Sequence, residues 1–204
     1  MTTELLLAFL TGYLLGAIPF GLLLTKASGK GDLRKVGSGN IGATNAMRAG
    51  GKALGALTLL LDALKGAVAV WIAQNFMGGV PGADVAAAAG ALIGHLYPAW
   101  LKFRGGKGVA TLFGILLALW PTGGLVYAVV WLLVAAATRI SSLAGITAAA
   151  SAPIAAAIFG IETLFPLLLG FALLVIWKHR ENIARLRAGT ETRVGKESRE
   201  QRPD

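Results

Sequence analysis

Basic and apolar residues are segregated along this chain, and the segregation limits the folds open to it. Of 19 Lys and Arg residues, only Lys65 lies inside a long apolar stretch; the rest fall at 26–52, at 102–107, at Arg139, or from Lys178 onward. Between these basic stretches run seven apolar segments, about Leu5–Leu24, Ala53–Met77, Val85–Leu101, Val109–Trp120, Leu125–Thr138, Leu143–Phe159 and Leu164–Trp177. The connections after segments two and six carry only Asp84 and Glu162, and the one after segment four carries no charge. Only 14% of residues are charged and 55% are hydrophobic, against roughly 25% charged in soluble domains. An all-α integral membrane protein with seven transmembrane helices follows. Excess Lys and Arg marks the cytoplasmic side of a membrane, which puts the N-terminus outside and the C-terminus in the cytoplasm of a cell-membrane protein.

Turn and breaker residues divide the segments further. Gly12, Gly16 and Pro19 interrupt segment one, Gly78–Gly82 reads as a turn, and Pro121-Thr122-Gly123-Gly124 reads as the turn between segments four and five. Those two segments are short against the ~20 residues a spanning helix needs, and a re-entrant hairpin would keep the same faces. Pro153 predicts a kink in segment six. Glu4 is the only charge before segment one, unlike the basic start of a cleaved signal. Residues 1–188 are read as one transmembrane domain with working loops at about 26–52, 102–108 and 178–188, and 189–204 as a polar tail expected to be disordered. Asp62 and Lys65 share a helix face in segment two and are expected to pair, as a packing contact or as part of a site. The Gly- and Ala-rich run Ala86–Gly94 allows close helix approach.

Composition removes several chemistries. There is no cysteine, so thiol nucleophiles and cysteine metal sites are excluded, and two histidines are too few for a histidine-built metal centre. The net charge of +9 follows the membrane-topology pattern, so no nucleic-acid partner is expected.

Three polar clusters fall on the basic side. The first is G-S-G-N-I-G-A-T-N-A-M-R, in which Ser38, Asn40, Thr44 and Asn45 sit among Gly37, Gly39 and Gly42 and Arg48 closes the run. Glycines let backbone N–H groups approach an anion, and an arginine fork grips phosphate oxygens. Gly37-x-Gly39-x-x-Gly42 also matches a dinucleotide fingerprint, but it follows charged residues and a long apolar segment where a strand is required. The second cluster, Arg104-Gly105-Gly106-Lys107-Gly108, leads into a predicted helix start, where free N–H groups and the helix dipole favour an anion. It is not a Walker A loop, because Gly108 follows Lys107. The third is His179-Arg180-Glu181-Asn182. His95 lies in Gly94-His95-Leu96-Tyr97-Pro98, just before the second cluster, as a structural or a site histidine. Together they read as a site for one or two phosphate groups at the depth where lipid chains begin.

G-S-G-N-I-G-A-T-N-A-M-R, then G-H-L-Y-P-A-W-L-K-F-R-G-G-K-G-V-A-T, then H-R-E-N-I-A-R-L-R-A-G-T-E resemble the three cytoplasmic motifs of the PlsY family, bacterial acyl-phosphate:glycerol-3-phosphate acyltransferases. The resemblance covers motif order, spacing, chain length and topology. It implies a seven-helix enzyme of phospholipid synthesis that moves an acyl group from acyl phosphate to the 1-hydroxyl of glycerol 3-phosphate, releasing lysophosphatidic acid and phosphate. It implies no metal and no cofactor, with neither coenzyme A nor carrier protein as direct donor, and the protein is expected to act as a monomer in the membrane. By the same resemblance Arg48 and Lys107 grip substrate phosphates. Ser38 and the Gly37–Gly42 backbone donate to the phosphate or acyl carbonyl, Thr44 and Asn45 orient the loop or the glycerol, and His179 and Asn182 hold glycerol 3-phosphate. The proton acceptor is His179 or a substrate phosphate. Neither histidine begins the His-x-x-x-x-Asp motif of other glycerol-lipid acyltransferases, since Trp100 and Ala184 stand where the acid would be. A transporter for an organic phosphate and a lipid-binding scaffold are the competing readings, and the motif glycines and the one-sided clustering count against them.

Overall fold

The computed structural model describes residues 2–195, and these are all-α. In chain order the helices are α1 (Thr3–Gly16), α2 (Phe20–Ala27), α3 (Ala43–Gly50), α4 (Lys52–Phe76), α5 (Ala83–Leu96), α6 (Val109–Leu119), α7 (Pro121–Thr138), α8 (Ser141–Ile158), α9 (Phe165–Lys178) and α10 (Arg180–Arg187). Four stretches are long and apolar enough to cross a membrane: Thr3–Ala27, Lys52–Phe76, Pro121–Thr138 and Ser141–Ile158. Val109–Leu119 and Phe165–Lys178 are shorter apolar helices.

The expected turn at Pro121–Gly124 is instead the first turn of α7. Proline is tolerated there because its missing N–H would have no helical partner at that position. Gly123 and Gly124 lie against Trp120 and Leu117, where a Cβ would collide. As a result α7 has 18 residues, while α6 has only 11, about 17 Å by helical rise. Segment three ends earlier than its apolar run suggests. Pro98 drives Tyr97 out of helical geometry, to φ −140° and ψ 58°, and the chain turns back toward the second polar cluster. Helix α8 continues through Pro153.

Close packing at small residues holds the helices together. Gly12 and Gly16 of α1 meet the backbone at Ala87 and Ala91 of α5, and Gly90 and Gly94 meet that of Phe9 and Tyr13, so a methyl at any of the four would strike main chain. Gly114 of α6 lies in the same way on Ala63 of α4. In lipid, where apolar burial gives no net drive, this close approach supplies the dispersion contact. Leu92, Leu96, Leu112, Ile115, Leu116 and Val175 fill the centre, while Leu14, Trp71, Leu132, Leu133 and Leu173 face outward, as a lipid-facing surface requires.

The first apolar segment is broken between α1 and α2. The carbonyls freed at the break are answered by side chains: Trp100 Nε1 donates to Ala17 O at 3.0 Å and Lys65 Nζ to Ile18 O at 2.7 Å. Near the start of α1, Leu5 packs on the same alanine cluster as Met77 and Val80, which places the turn after α4 at the end of the bundle opposite the basic loops. Within the expected tail, residues 189–195 make defined contacts: Val194 N donates to Arg139 O at 2.7 Å, and Glu191 is tied to three side chains. The rest of the expected tail, 196–204, lies outside the described residues.

Candidate active site

The first polar cluster is a loop that closes on one amide. Asn45, almost fully buried, donates through Nδ2 to the carbonyls of Leu33, Val36 and Asn40 at 2.9–3.1 Å and accepts through Oδ1 from Ser38 N at 3.1 Å. Gly37 has φ +53°, and a Cβ there would meet Asn45 Oδ1, so glycine is required on both counts. Gly42 caps α3, so the second half of the cluster is helical. Thr44 Oγ1 lies 2.8 Å from Ser141 Oγ, joining α3 to α8. Arg48 is exposed, and its Nη2 donates to Thr192 Oγ1 at 2.8 Å.

The second cluster is laid back across the C-terminus of α5. Gly106 N donates to His95 O at 3.0 Å and Gly105 N to Leu96 O at 3.2 Å, satisfying carbonyls that a helix end leaves open. A side chain at Gly106 would run into the His95 ring. Gly108 caps α6, and Lys107 Nζ donates to Asn182 Oδ1.

The third cluster straddles the junction of α9 and α10. His179 is buried, and its Nδ1 lies 2.8 Å from Val175 O. In the neutral ring that contact places the proton on Nδ1 and leaves Nε2 as an acceptor. Asn182 is buried as well; it accepts from Lys107 and donates to Glu191 Oε1 at 2.7 Å. Glu191 also accepts from Ser142 Oγ at 2.7 Å and Arg185 Nε at 2.6 Å.

Between the three clusters lies a cleft of about 160 Å³ lined by Ser38, Gly39, Asn40, Gly105, Lys107, Lys178, Arg180, Glu181 and Arg185. Its cations outnumber its single acid, which suits a phosphate dianion. Burial, then the neighbouring Arg185, lowers the Lys107 pKa to about 8. Burial takes His179 down to about 4, against the opposing pull of its bond to Val175. Partial burial pushes Glu191 up, but bonds from Asn182, Ser142 and Arg185 outweigh it and hold the carboxyl below its usual range. Of the residues singled out in the sequence, Ser38, Gly39, Asn40, Gly105 and Lys107 meet at the cleft. Asn182 stands directly behind Lys107. Asn45 and Gly37 build the loop behind Ser38, Thr44 ties α3 to α8, and Gly106 and Gly108 build the loop around Lys107. His95, His179, Arg48, Arg104 and Gly42 do not line the cleft.

A model of the family described as glycerol-3-phosphate acyltransferase matches residues 6–189. The chain belongs to that family. A glycerol-3-phosphate acyltransferase of Mesorhizobium japonicum is 54% identical over 195 residues, covering 96% of this chain and 98% of its own, and one from Rhodopseudomonas palustris is 54% identical over 188 residues, covering 92% and 94%. The crystal structure of PlsY (YgiH), an integral membrane glycerol 3-phosphate acyltransferase, in its glycerol 3-phosphate form superposes with a TM-score of 0.88 at 41% identity, covering 94% of this chain and 96% of that one. Its lysophosphatidic acid form gives 0.84 at 37% identity, covering 94% and 95%.

Within this acyltransferase framework, sequence reasoning overlooked Ser142, Arg185 and Glu191. Glu191 lies just past the family match and inside the polar stretch read as tail. The available signal was the acid that follows Ala188-Gly189-Thr190, where a glycine ends a helix and the next residues can turn back. Among the described residues, no three His, Asp or Glu side chains come together as a metal set.

Proposed function

We propose that this chain is an integral membrane glycerol-3-phosphate acyltransferase that takes its acyl group from acyl phosphate and transfers it to the 1-hydroxyl. The observation that carries this reading is the convergence of Ser38, Lys107 and Arg185, one from each motif, on a single cationic cleft. The glycerol oxygen attacks the acyl carbonyl carbon. A new ester C–O bond forms, and the bond from that carbon to the phosphate oxygen breaks. The leaving phosphate keeps the electron pair and takes the hydroxyl proton. Lys107, with Arg180 and Arg185, offsets the charge that builds on the phosphates, and Ser38 and the adjoining loop donate to the acyl oxygen. Asn182 fixes the Lys107 ammonium.

A histidine whose pKa lies near 4 is a weak base at neutral pH. This favours the departing phosphate as proton acceptor and leaves His179 as an orienting acceptor. The one hydrogen bond that holds Ser38 in the loop uses its backbone N, and among the described residues its Oγ has no basic partner, which favours direct transfer over an acyl-serine intermediate. All three motifs come from one chain, consistent with a monomer. Seven crossings with the N-terminus outside and the C-terminus inside would set the cleft at the cytoplasmic surface of the bacterial inner membrane, with the acyl chain passing between helices into lipid.

Purified protein in nanodiscs, given palmitoyl phosphate and labelled glycerol 3-phosphate without coenzyme A, carrier protein or metal, is expected to form lysophosphatidic acid. Lys107→Ala is expected to lose about 10³-fold, at the upper end of the effect of removing one electrostatic stabiliser. No product from wild type with acyl phosphate would overturn the donor assignment. Uptake of labelled glycerol 3-phosphate into proteoliposomes in its place would favour a transporter.

A further inference from the structure

Beneath the cleft lies a buried ionic cluster that the mechanism above does not use. Lys65 Nζ sits 2.7 Å from Asp62 Oδ1, with both side chains almost wholly buried. His95 Nδ1 faces the same carboxylate oxygen at 3.8 Å and has no hydrogen-bond partner among the described residues. Packing α4 against its neighbours would not require an ion pair, because an apolar pair of similar volume is as stable or more so. What the cluster touches is more informative than its charge.

On one side, the His95 ring lies under Gly106, where even a methyl group would collide with it, and the His95 carbonyl accepts from Gly106 N. On the other side, Lys65 donates to Ile18 O at the break between α1 and α2. Helix α2 then carries the break to the first loop: Gly21 lies against the carbonyl of Ile41, immediately after the Ser38–Asn40 run. We propose that Asp62, held between Lys65 and His95, is a positioning residue that couples the two loops of the cleft, setting the Lys107 loop through His95 and the Ser38 loop through Lys65 and α2. Asp62 does not line the cleft. It acts by fixing the separation of two loops that must hold the same acyl phosphate and glycerol 3-phosphate, and a shift of about 1 Å at such a site costs about 10²-fold in rate.

This inference rests on the acyltransferase reading, and the test separates the two. Removing Asp62 alone would leave the Lys65 charge buried and endanger folding, so the decisive variant replaces the pair together, Asp62→Leu with Lys65→Met, alongside His95→Gln. Each would be checked for monodispersity and helical content in nanodiscs. Turnover would then be measured against both substrates, together with hydrogen exchange in peptides covering 34–42 and 104–109. The expected result for the folded double variant is at least tenfold faster exchange in both peptides, a tenfold or greater loss of kcat, and a severalfold higher KM for glycerol 3-phosphate. His95→Gln should loosen 104–109 and leave 34–42 as in wild type. A pair that only packs helices would leave exchange in both peptides and KM unchanged, and that result would overturn the proposal. Unaltered turnover beside an active wild type would overturn it too. An inactive wild type would instead defeat the acyltransferase reading, and the exchange results would still decide whether Asp62 couples the loops.

Discussion

The loop carrying Ser38 and the helix carrying Asn182 each depend on one polar side chain, Asn45 in the first and Glu191 in the second. Asn45 reaches only groups 5 to 12 residues away in sequence. Glu191 gathers Arg185 and Asn182 from its own neighbourhood and Ser142 from 49 residues away. Through Asn182 its influence reaches Lys107, 75 residues from that asparagine. The Ser38 loop can therefore close as a local unit, with glycine turns and one amide satisfying its backbone. The geometry around Lys107 exists only after α8, α9 and α10 have assembled and the chain beyond Gly189 has turned back over them.

Of the two hubs, the local one should give the larger effect when broken. Asn45→Ala removes one acceptor and three donor contacts at a buried position, and unpaired buried polar groups cost about 1 kcal/mol or more each. A loss of roughly 3 kcal/mol in stability is expected, with turnover reduced about 10²-fold as Ser38 shifts. Asn45→Asp retains the acceptor but cannot donate, and it sets a carboxylate against three carbonyls, so it should be no better than alanine. Thermal unfolding and turnover in nanodiscs would check both; an Asn45→Asp variant near wild-type activity would contradict the hub.

The long-range hub should give a smaller and differently distributed effect. Glu191→Ala strands the Nδ2 of buried Asn182 and frees Arg185, and about 2 kcal/mol, or roughly 30-fold in kcat/KM for glycerol 3-phosphate, is expected. Glu191→Gln keeps an acceptor for Asn182 and Ser142 and should recover part of that loss. The Ser38 loop should be untouched, so hydrogen exchange at 34–42 should match wild type in both variants. If that segment loosens, the two walls are not independent at this point.

The same contrast governs what the sequence made legible. The Gly37–Arg48 cluster announced itself because its chemistry is local: glycines where the backbone must turn left-handed or pass close, and Asn45 where a turn must be closed. The alternation of basic loops also marked out in advance the end of the bundle at which the three polar clusters meet. Glu191 closes the third motif, yet its role was not legible, because it depends on Ser142 and Asn182 arriving beside it, and a polar stretch with no apolar periodicity looks like a solvated tail. Pro121–Gly124 misled for a related reason. Proline and glycine punctuate turns, yet proline also suits a helix start, and glycines suit a tight contact with Trp120 that only the packed helices create. Asn182 was singled out in the sequence, but the engagement of its amide by Lys107 and Glu191 is a pairing that no spacing rule would reveal.

Lys107 lines the cleft with Ser38 and is bonded to Asn182, and its titration should report on the site. Its pKa lies near 8, below the ordinary lysine value, through burial first and Arg185 second. On the proposed role the protonated form grips phosphate, so kcat/KM should fall above about pH 8, approaching tenfold per unit. Stability should move the other way. Above about pH 8 the folded chain has released a proton that the unfolded chain still holds, so folding is favoured as pH rises toward the ordinary lysine range. Lys107→Arg, whose guanidinium stays charged, should flatten the activity limb at whatever lower rate it supports. A limb that persists in Lys107→Arg would assign the titration to another group.

The smallest effect expected is at the exposed end of the second wall. Thr192 Oγ1 accepts from Arg48 Nη2 at 2.8 Å, a side-chain bond running from the α3 end of the Ser38 cluster to the segment beyond Gly189. Both residues are exposed, so water competes for each partner, and the net bond is worth about 0.5 kcal/mol. Thr192→Val keeps the shape and removes the acceptor, so about a twofold change in turnover is expected, with unfolding unaltered. The sign of that change is informative. If a substrate phosphate must displace Thr192 from Arg48, freeing the arginine should tighten binding and lower KM for that substrate. If Thr192 instead holds Arg48 in its working orientation, KM should rise by about the same factor. Measuring KM for acyl phosphate and for glycerol 3-phosphate separately would then also identify which phosphate Arg48 meets, because only that substrate's KM should respond.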